Sequence, residues 1–334
     1  MGENHQLLIG TVPQGALRAD DFVAYVAPTA PPDDGEVLLE TLAVTIGAGQ
    51  RAGLQGSASY AGAASSGVVM GGTGVGRVVE SRSPAFAPGD MVMGPTGWQS
   101  RPTVAADQLI AVDGDLDPAL LLGPLGINGL TAYFGLHDIG HPGPGDTVVV
   151  SAAAGSVGHM VGQMGRLAGA KVVGVAGSEA KCDLLCGRLG FDAAVNYRAD
   201  DFRDRFKAAT PERIDVYFDN TGGDILGSAL FRMAVGGRIV CCGAVSQYDT
   251  STPGPGPRGI PGLLVNNRVT MQGFLVFDFE ERYAEARAQI SSWLRQGELD
   301  PLTTEYEGLE AAPGAFVDLL AGATVGTTVV RLDP

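Results

Sequence analysis

Thr147–Gly162, TVVVSAAAGSVGHMVG, is the stretch that decides the fold. Four β-formers, Thr147–Val150, run into a small-residue turn, Ala152-x-x-Gly155-x-x-Gly158, and then into a helix-like segment. A strand, a tight turn and a helix N-terminus in that order can cradle a dinucleotide pyrophosphate. Backbone N–H groups at a helix start lack intrahelical acceptors and carry partial positive charge, so they attract phosphate. Gly155 and Gly158 let the backbone approach the phosphates and the helix pack on the strand. The same pattern also marks close-packed strand–helix corners that bind nothing, so the surrounding sequence has to decide.

That surrounding sequence is an α/β repeat. Lys171–Ala176 (KVVGVA) reads as a second apolar strand after a helix of about four turns. Asp192–Tyr197, Asp215–Asp219, Arg238–Cys242 and Val269–Val276 follow as strands, with amphipathic segments between most of them. Strands alternating with helical patterns predict a parallel, doubly wound α/β sheet. A dinucleotide lies across the carboxyl ends of such strands, at the switch point of the strand order.

The end of the second strand bears on which dinucleotide. An NAD site places Asp or Glu there to bind the ribose hydroxyls. Here the strand ends Val175-Ala176-Gly177-Ser178, followed by Glu179 and Lys181. Lys181, one of three lysines against nineteen arginines, is read either as a partner for a 2′-phosphate, which favours NADPH, or as a solvated first-turn lysine. Glu179 must point away if the first reading holds.

At 334 residues the chain has room for two domains. Its net charge of −15 argues against nucleic acid and anionic membranes as partners. No apolar run approaches a membrane span, and MGENHQLLIG lacks the basic and apolar regions of a signal peptide, so a cytoplasmic location is expected. Cys182, Cys186, Cys241 and Cys242 lack C-x-x-C spacing, and His5, His137, His141 and His159 are scattered, so no metal site is expected. His159, one residue past the turn, either flanks the cofactor or faces solvent.

Residues 1 to 125 read differently. Glu36–Val44, Val75–Glu80 and Met91–Met93 are short strands separated by Gly and Pro, which predicts a small β-rich domain. Gly123–His137 and Glu280–Gln296 read as helices, and Thr327–Leu332 as a strand. A chain that starts in one domain, builds a second and returns to the first is expected. The boundaries are 1–125 with 297–334, and 126–296. Ser251–Gly262, STPGPGPRGIPG, is expected to be an irregular loop placed to cover substrate.

Together, AAAGSVG, GSEAK with Lys181, FDAAVNY with Tyr197, YFDNTGG with Asn220 and GGRIVCCGAVSQY ending at Tyr248 resemble the medium-chain dehydrogenase/reductase superfamily. Within it they are similar to the zinc-independent prostaglandin/leukotriene reductases and 2-alkenal double-bond reductases. The resemblance covers nearly the whole chain and is strongest over 123–243. It implies a GroES-like β-rich domain beside a Rossmann domain, a homodimer, and NADPH-driven reduction of the C=C bond of a small-molecule conjugated carbonyl. It implies pyrophosphate contacts at Gly155, Ser156, Val157 and Gly158, and 2′-phosphate contacts at Lys181 and Tyr197. It puts Asn220, Cys242, Gly243, Ala244, Val245, Ser246, Phe274, Leu275 and Val276 at the nicotinamide end. Asn220 also fits a turn-forming role before Thr221-Gly222-Gly223, and Tyr197 that of a strand-end aromatic.

Three departures concern the substrate. The family's V-D-P-Y-M-R-like segment reads Ile46-Gly47-Ala48-Gly49-Gln50-Arg51, so Gly49 replaces a tyrosine. A second pocket tyrosine falls near Asn266, and the C-terminal N-x-x-G-K-like motif reads Thr324-Val325-Gly326-Thr327. Residues 53–76 are rich in Gly, Ala and Ser. Lost aromatic bulk predicts a larger pocket. Hydride addition to the β-carbon builds charge on the carbonyl oxygen, and Tyr248 is the candidate donor to it. A phenol keeps its proton at neutral pH and donates without ionising; a packing role under the loop is the alternative. Two other functions stay open: a tailoring reductase in which hydride addition triggers cyclisation, and a non-catalytic dinucleotide-binding protein.

Overall fold

A computed structural model describes residues 2–56, 64–252 and 254–332. The expected glycine-rich stretch after Gly49 therefore lies partly outside the described residues, at 57–63. The chain divides into two units, one of residues 1–123, 249–251 and 303–334, the other of 124–248 and 252–302.

The first unit is β-rich. β1 (Glu3–Ile9) and β2 (Phe22–Pro28) pair antiparallel as a separate hairpin-like sheet. The main sheet is built around β3 (Glu36–Ile46), whose residues are mostly buried. β4 (Gly74–Ser81), β5 (Met91–Gly94) and β7 (Ile110–Ala111) extend it on one side, and β6 (Thr103–Ala105) pairs with the start of β3. On the other side lie β15 (Thr327–Arg331) and β14 (Thr303–Glu307), so the C-terminal segment returns to the N-terminal sheet. Trp98, Phe22 and Phe316 form the aromatic centre of its core, with ring centroids 5.1 Å (Phe22–Trp98) and 5.8 Å (Trp98–Phe316) apart. Helix α1 (Ala48–Gln55) follows β3 and carries Arg51, which is fully buried. Its Nε bonds Asp249 Oδ1 at 3.0 Å and one Nη bonds the Gly15 carbonyl at 2.6 Å.

The second unit is the expected parallel sheet. β8 (Thr147–Ser151), β9 (Lys171–Ala176), β10 (Ala193–Asn196), β11 (Ile214–Asp219), β12 (Met233–Cys241) and β13 (Thr270–Gly273) run in the order β10-β9-β8-β11-β12-β13, every neighbour parallel. β8 is buried along its whole length, as a central strand covered on both faces must be. The strand order reverses between β8 and β11.

Several local expectations differ from what forms. The helix after β8, α4 (Gly158–Leu167), has ten residues and nearly three turns. It stops where Gly169 adopts φ +82. The helix expected over 123–137 begins four residues late and is preceded by a separate short helix. α2 (Pro118–Leu122) ends at Gly123, and α3 (Ile127–Phe134) starts beyond Pro124, which lacks an N–H and disfavours helix in the residue before it. A π-helical turn, Gly135–Gly140, follows. β13 ends at Gly273 and a 3-10 segment, Val276–Arg282, occupies the expected strand end and helix start, so α9 (Tyr283–Gln296) begins later than expected. The proline-rich loop stops early: α8 (Ile260–Asn267) includes Pro261 and Gly262. Proline is tolerated there because first-turn N–H groups have no intrahelical acceptor.

Candidate active site

The turn after β8 is shaped for an anion. Ala152 sits at φ +48, and the amide of Gly155 closes back onto the Ala152 carbonyl at 2.9 Å. α4 then starts at Gly158 with Val157 as N-cap and no side chain capping it. A Cβ at Gly158 would lie 2.3 Å from the Ala152 oxygen and 2.9 Å from Ala153 Cα, so only glycine lets the helix start this close to the strand end. An uncapped helix N-terminus on a tight turn fits a pyrophosphate.

His159 neither flanks this site openly nor faces solvent; it is fully buried. The amide of Leu302 donates to its Nε2 at 3.1 Å, so Nδ1 carries the proton and donates to the Gly155 carbonyl at 2.8 Å. Burial pushes its pKa down to about 4, so the ring is neutral and ties the turn after β8 to the segment at 300–302. Gln163 adds two bonds to the same segment, to the carbonyl and amide of Asp300.

Beyond β9, Ser178 caps α5 (Glu179–Gly187) by accepting from the Lys181 amide. Glu179 is diverted: Arg205 donates to both its oxygens at 2.7 and 3.1 Å, and Asn196 Nδ2 reaches it at 3.4 Å. The acid that would oppose a 2′-phosphate is thereby occupied. Tyr197, just past β10, is 39% exposed, and Arg198 Nε donates to its hydroxyl at 3.3 Å. Burial and the Arg198 charge both lower the pKa of Lys181. Two cations and a phenol beside an acid-free strand end fit a phosphate dianion. Sequence reasoning missed Arg198, although it directly follows Tyr197 in the quoted motif.

The turns after β11 and β12 are bonded to each other. The amides of Cys242 and Gly243 donate to the Asp219 carbonyl at 2.9 and 3.1 Å, Val245 to Asn220 at 3.2 Å, and Ser246 to Thr221 at 3.1 Å. Asn220 is buried; its side-chain amide donates to the Ser151 carbonyl at 2.8 Å, which ties β11 to β8. The segment ends at Tyr248, whose hydroxyl accepts from the Ala244 amide at 3.2 Å.

The turn residues Gly155–Gly158, Lys181, Tyr197, Asn220 and Cys242–Tyr248 thus all lie beyond the carboxyl ends of neighbouring parallel strands. Phe274–Val276 follow β13 at the same edge, but Val276 is buried against Phe134 and Ala286, and Phe274 packs on Phe279. Asn266 is exposed on α8. Gly49 is exposed on α1 in the other unit. In the C-terminal motif Gly326 adopts φ +63, and the buried Thr327 hydroxyl has no hydrogen-bond partner. Among the described residues no cluster of three His, Cys, Asp or Glu could hold a metal ion.

A doubly wound sheet with a tight glycine turn at the helix start after its central strand, together with a β-rich unit built from both chain ends, is the architecture of a two-domain dinucleotide-dependent oxidoreductase. Residues 156–292 match a family model described as "Zinc-binding dehydrogenase", and residues 5–112 one described as "N-terminal domain of oxidoreductase". The NADPH-dependent curcumin reductase of Escherichia coli (strain K12) is 37% identical, over 98% of this chain and 97% of its own. Prostaglandin reductase 1 of Bos taurus is 39% identical, over 93% and 94%. The crystal structure of CurA from Vibrio vulnificus in complex with NADPH superposes with a TM-score of 0.93 at 35% identity, over 99% of each chain. The chain belongs to the zinc-independent reductase group of the medium-chain dehydrogenase/reductase superfamily.

Proposed function

We propose that this protein is an NADPH-dependent ene-reductase that reduces the C=C bond of an α,β-unsaturated carbonyl. The observation that carries the reading is the carboxyl edge of the parallel sheet. An uncapped helix N-terminus, a Lys181–Tyr197–Arg198 group and the paired turns ending at Tyr248 follow one another there. The curcumin and prostaglandin reductases it is similar to support the same chemistry.

In this reading the backbone at Gly155, Ser156, Val157 and Gly158 holds the pyrophosphate. Lys181 and Tyr197, with Arg198 beside them, hold the 2′-phosphate. Asn220, Cys242–Ser246 and Phe274–Val276 surround the nicotinamide end. When bound, NADPH supplies a hydride, with its electron pair, to the β-carbon of the acceptor. Tyr248 donates a hydrogen bond from its hydroxyl to the carbonyl oxygen, where negative charge develops. Its oxygen already accepts from the Ala244 amide, which polarises the O–H for donation. A proton from solvent or a ribose hydroxyl completes the α-carbon, so one proton is taken up per C=C reduced.

The unit containing residues 1–123 is the substrate domain in this reading. Gly49 in place of the family tyrosine, and relatives named for curcumin and a prostaglandin, favour a bulky substrate. Four free cysteines suit a reducing, cytoplasmic setting. The exposed edge strand β13, near the exposed side chains Val265, Leu275 and Phe277, supports a homodimer. The test is consumption of NADPH with a conjugated enone. Oxidation matched 1:1 by loss of the C=C bond, and insensitive to chelator, is expected. NADPH binding with no turnover of any conjugated carbonyl would leave only a dinucleotide-binding protein.

A further inference from the structure

Asp219 is the buried charge for which the proposed chemistry has yet found no use. It ends β11, beside Ser151 at the end of β8, where the strand order reverses. That is the crevice in which doubly wound sheets bind their ligands. Its Oδ1 accepts from Gly222 N at 2.9 Å, Tyr217 Oη at 3.0 Å, Thr221 N at 3.1 Å, Ser151 Oγ at 3.2 Å and Thr221 Oγ1 at 3.3 Å. All five donors are neutral. Among the described residues no lysine, arginine or histidine pairs with it, although such ion pairs form elsewhere, as between Arg188 and Asp300 and between Arg238 and Asp146.

Burial raises the Asp219 pKa, and the surrounding amide and hydroxyl donors oppose that rise by favouring the ionised carboxylate, whose field no cation cancels. In a buried setting that field is weakly screened. It already acts on the adjoining turn: burial and then the Asp219 charge push the Cys242 thiol up to about 12 and Cys241 to about 11. Cys242 opens the segment proposed to surround the nicotinamide.

We infer that Asp219 biases the bound cofactor toward its oxidised form, by favouring the positively charged nicotinamide ring over the neutral reduced one. The inference rests on the NADPH site proposed above. Loss of hydride with its electron pair leaves the ring a cation, and a fixed negative charge nearby stabilises that cation in the product and in the transition state leading to it. The five neutral donors keep the carboxylate in place without cancelling it. The same group also shapes the turn through the Thr221 and Gly222 amides, and a purely structural role would affect both redox forms equally.

Asp219→Asn separates the two roles, because the amide oxygen still accepts the turn's hydrogen bonds while the charge is gone. Dissociation constants for NADP⁺ and NADPH are measured by quenching of protein fluorescence, with adenosine 2′,5′-bisphosphate as a ligand lacking the ring. The ratio Kd(NADP⁺)/Kd(NADPH) is expected to rise about five- to tenfold in the variant. Binding of the bisphosphate should be unchanged. Asp219→Ser, which keeps a short acceptor without charge, gives the same reading should the asparagine variant not fold. A ratio equal to the parent's, whether both constants shift together or neither does, overturns the inference while leaving the reductase reading intact. A parent that binds neither redox form overturns the cofactor site itself.

Discussion

The hydroxyl oxygen of Tyr248 accepts a hydrogen bond from the amide of Ala244, four residues earlier, at 3.2 Å. The ring is thereby fixed to the turn that follows β12, with its oxygen used as acceptor and its proton left to donate. Tyr248→Phe should lower kcat about ten- to hundredfold while NADPH affinity stays within about twofold. The variant is compared with the parent by NADPH titration and by turnover of one enone. Parental kcat in a variant that still binds NADPH, with hydride transfer shown by deuterated cofactor to limit the rate, would make Tyr248 a packing residue.

Cofactor choice should follow the cations beyond β9 and β10. Glu179 is held by Arg205 and Asn196, while the Arg198 guanidinium lies 5.6 Å from the Tyr197 ring centre and its charge acts on Lys181. The parent should bind NADPH more tightly than NADH. Lys181→Ala and Arg198→Ala should each reduce that preference about tenfold, with NADH affinity nearly unchanged. Equal affinity of the parent for both cofactors would remove the 2′-phosphate site.

Acid should loosen the phosphate turn through His159. Its folded pKa of about 4 lies below the ordinary value of 6.5, so between those pH values the unfolded chain takes up a proton that the folded chain refuses. Stability therefore rises with pH across that window, and acidification through it costs up to about 3 kcal/mol. Protonation of Nε2 also breaks the bond from Leu302. Denaturant melts at pH 7 and pH 5 should show a smaller loss in His159→Asn than in the parent. Identical losses would mean that His159 contributes nothing to the acid response.

Position 49 should set substrate size. Gly49 is exposed in the first turn of α1, so a larger side chain there leaves the core untouched. The parent should turn over bulky conjugated carbonyls better than small enals, and Gly49→Tyr should move the preference toward small ones. Competition between an aryl enone and acrolein measures it. A parent that already prefers acrolein, with no change in Gly49→Tyr, would contradict the pocket assignment.

The sheet was legible because its strands are short apolar β-branched runs. β9 occupies the quoted KVVGVA, and the other parallel strands overlap their expected ranges, although β12 begins five residues early, at Met233. Element boundaries were harder where punctuation mattered. Pro124 delays the start of α3 to Ile127, whereas Pro261 sits inside α8 because it falls in the first turn. The tight turn between β8 and α4 could be read from spacing, since consecutive residues build it. Arg205 on Glu179 and the Ser151 hydroxyl on Asp219 could not, because each acts through a partner brought up by another element. His159 was misread for the same reason: its burial depends on residues 300–302, far along the chain.

The central claim is tested most directly by following the label from stereospecifically 4-deuterated NADPH into the product of a conjugated enone. The account predicts one deuterium per product molecule, bonded to the β-carbon, from one face of the nicotinamide only. It also predicts an α-hydrogen drawn from solvent. Deuterium on the carbonyl carbon, giving an allylic alcohol with the C=C bond intact, would contradict it.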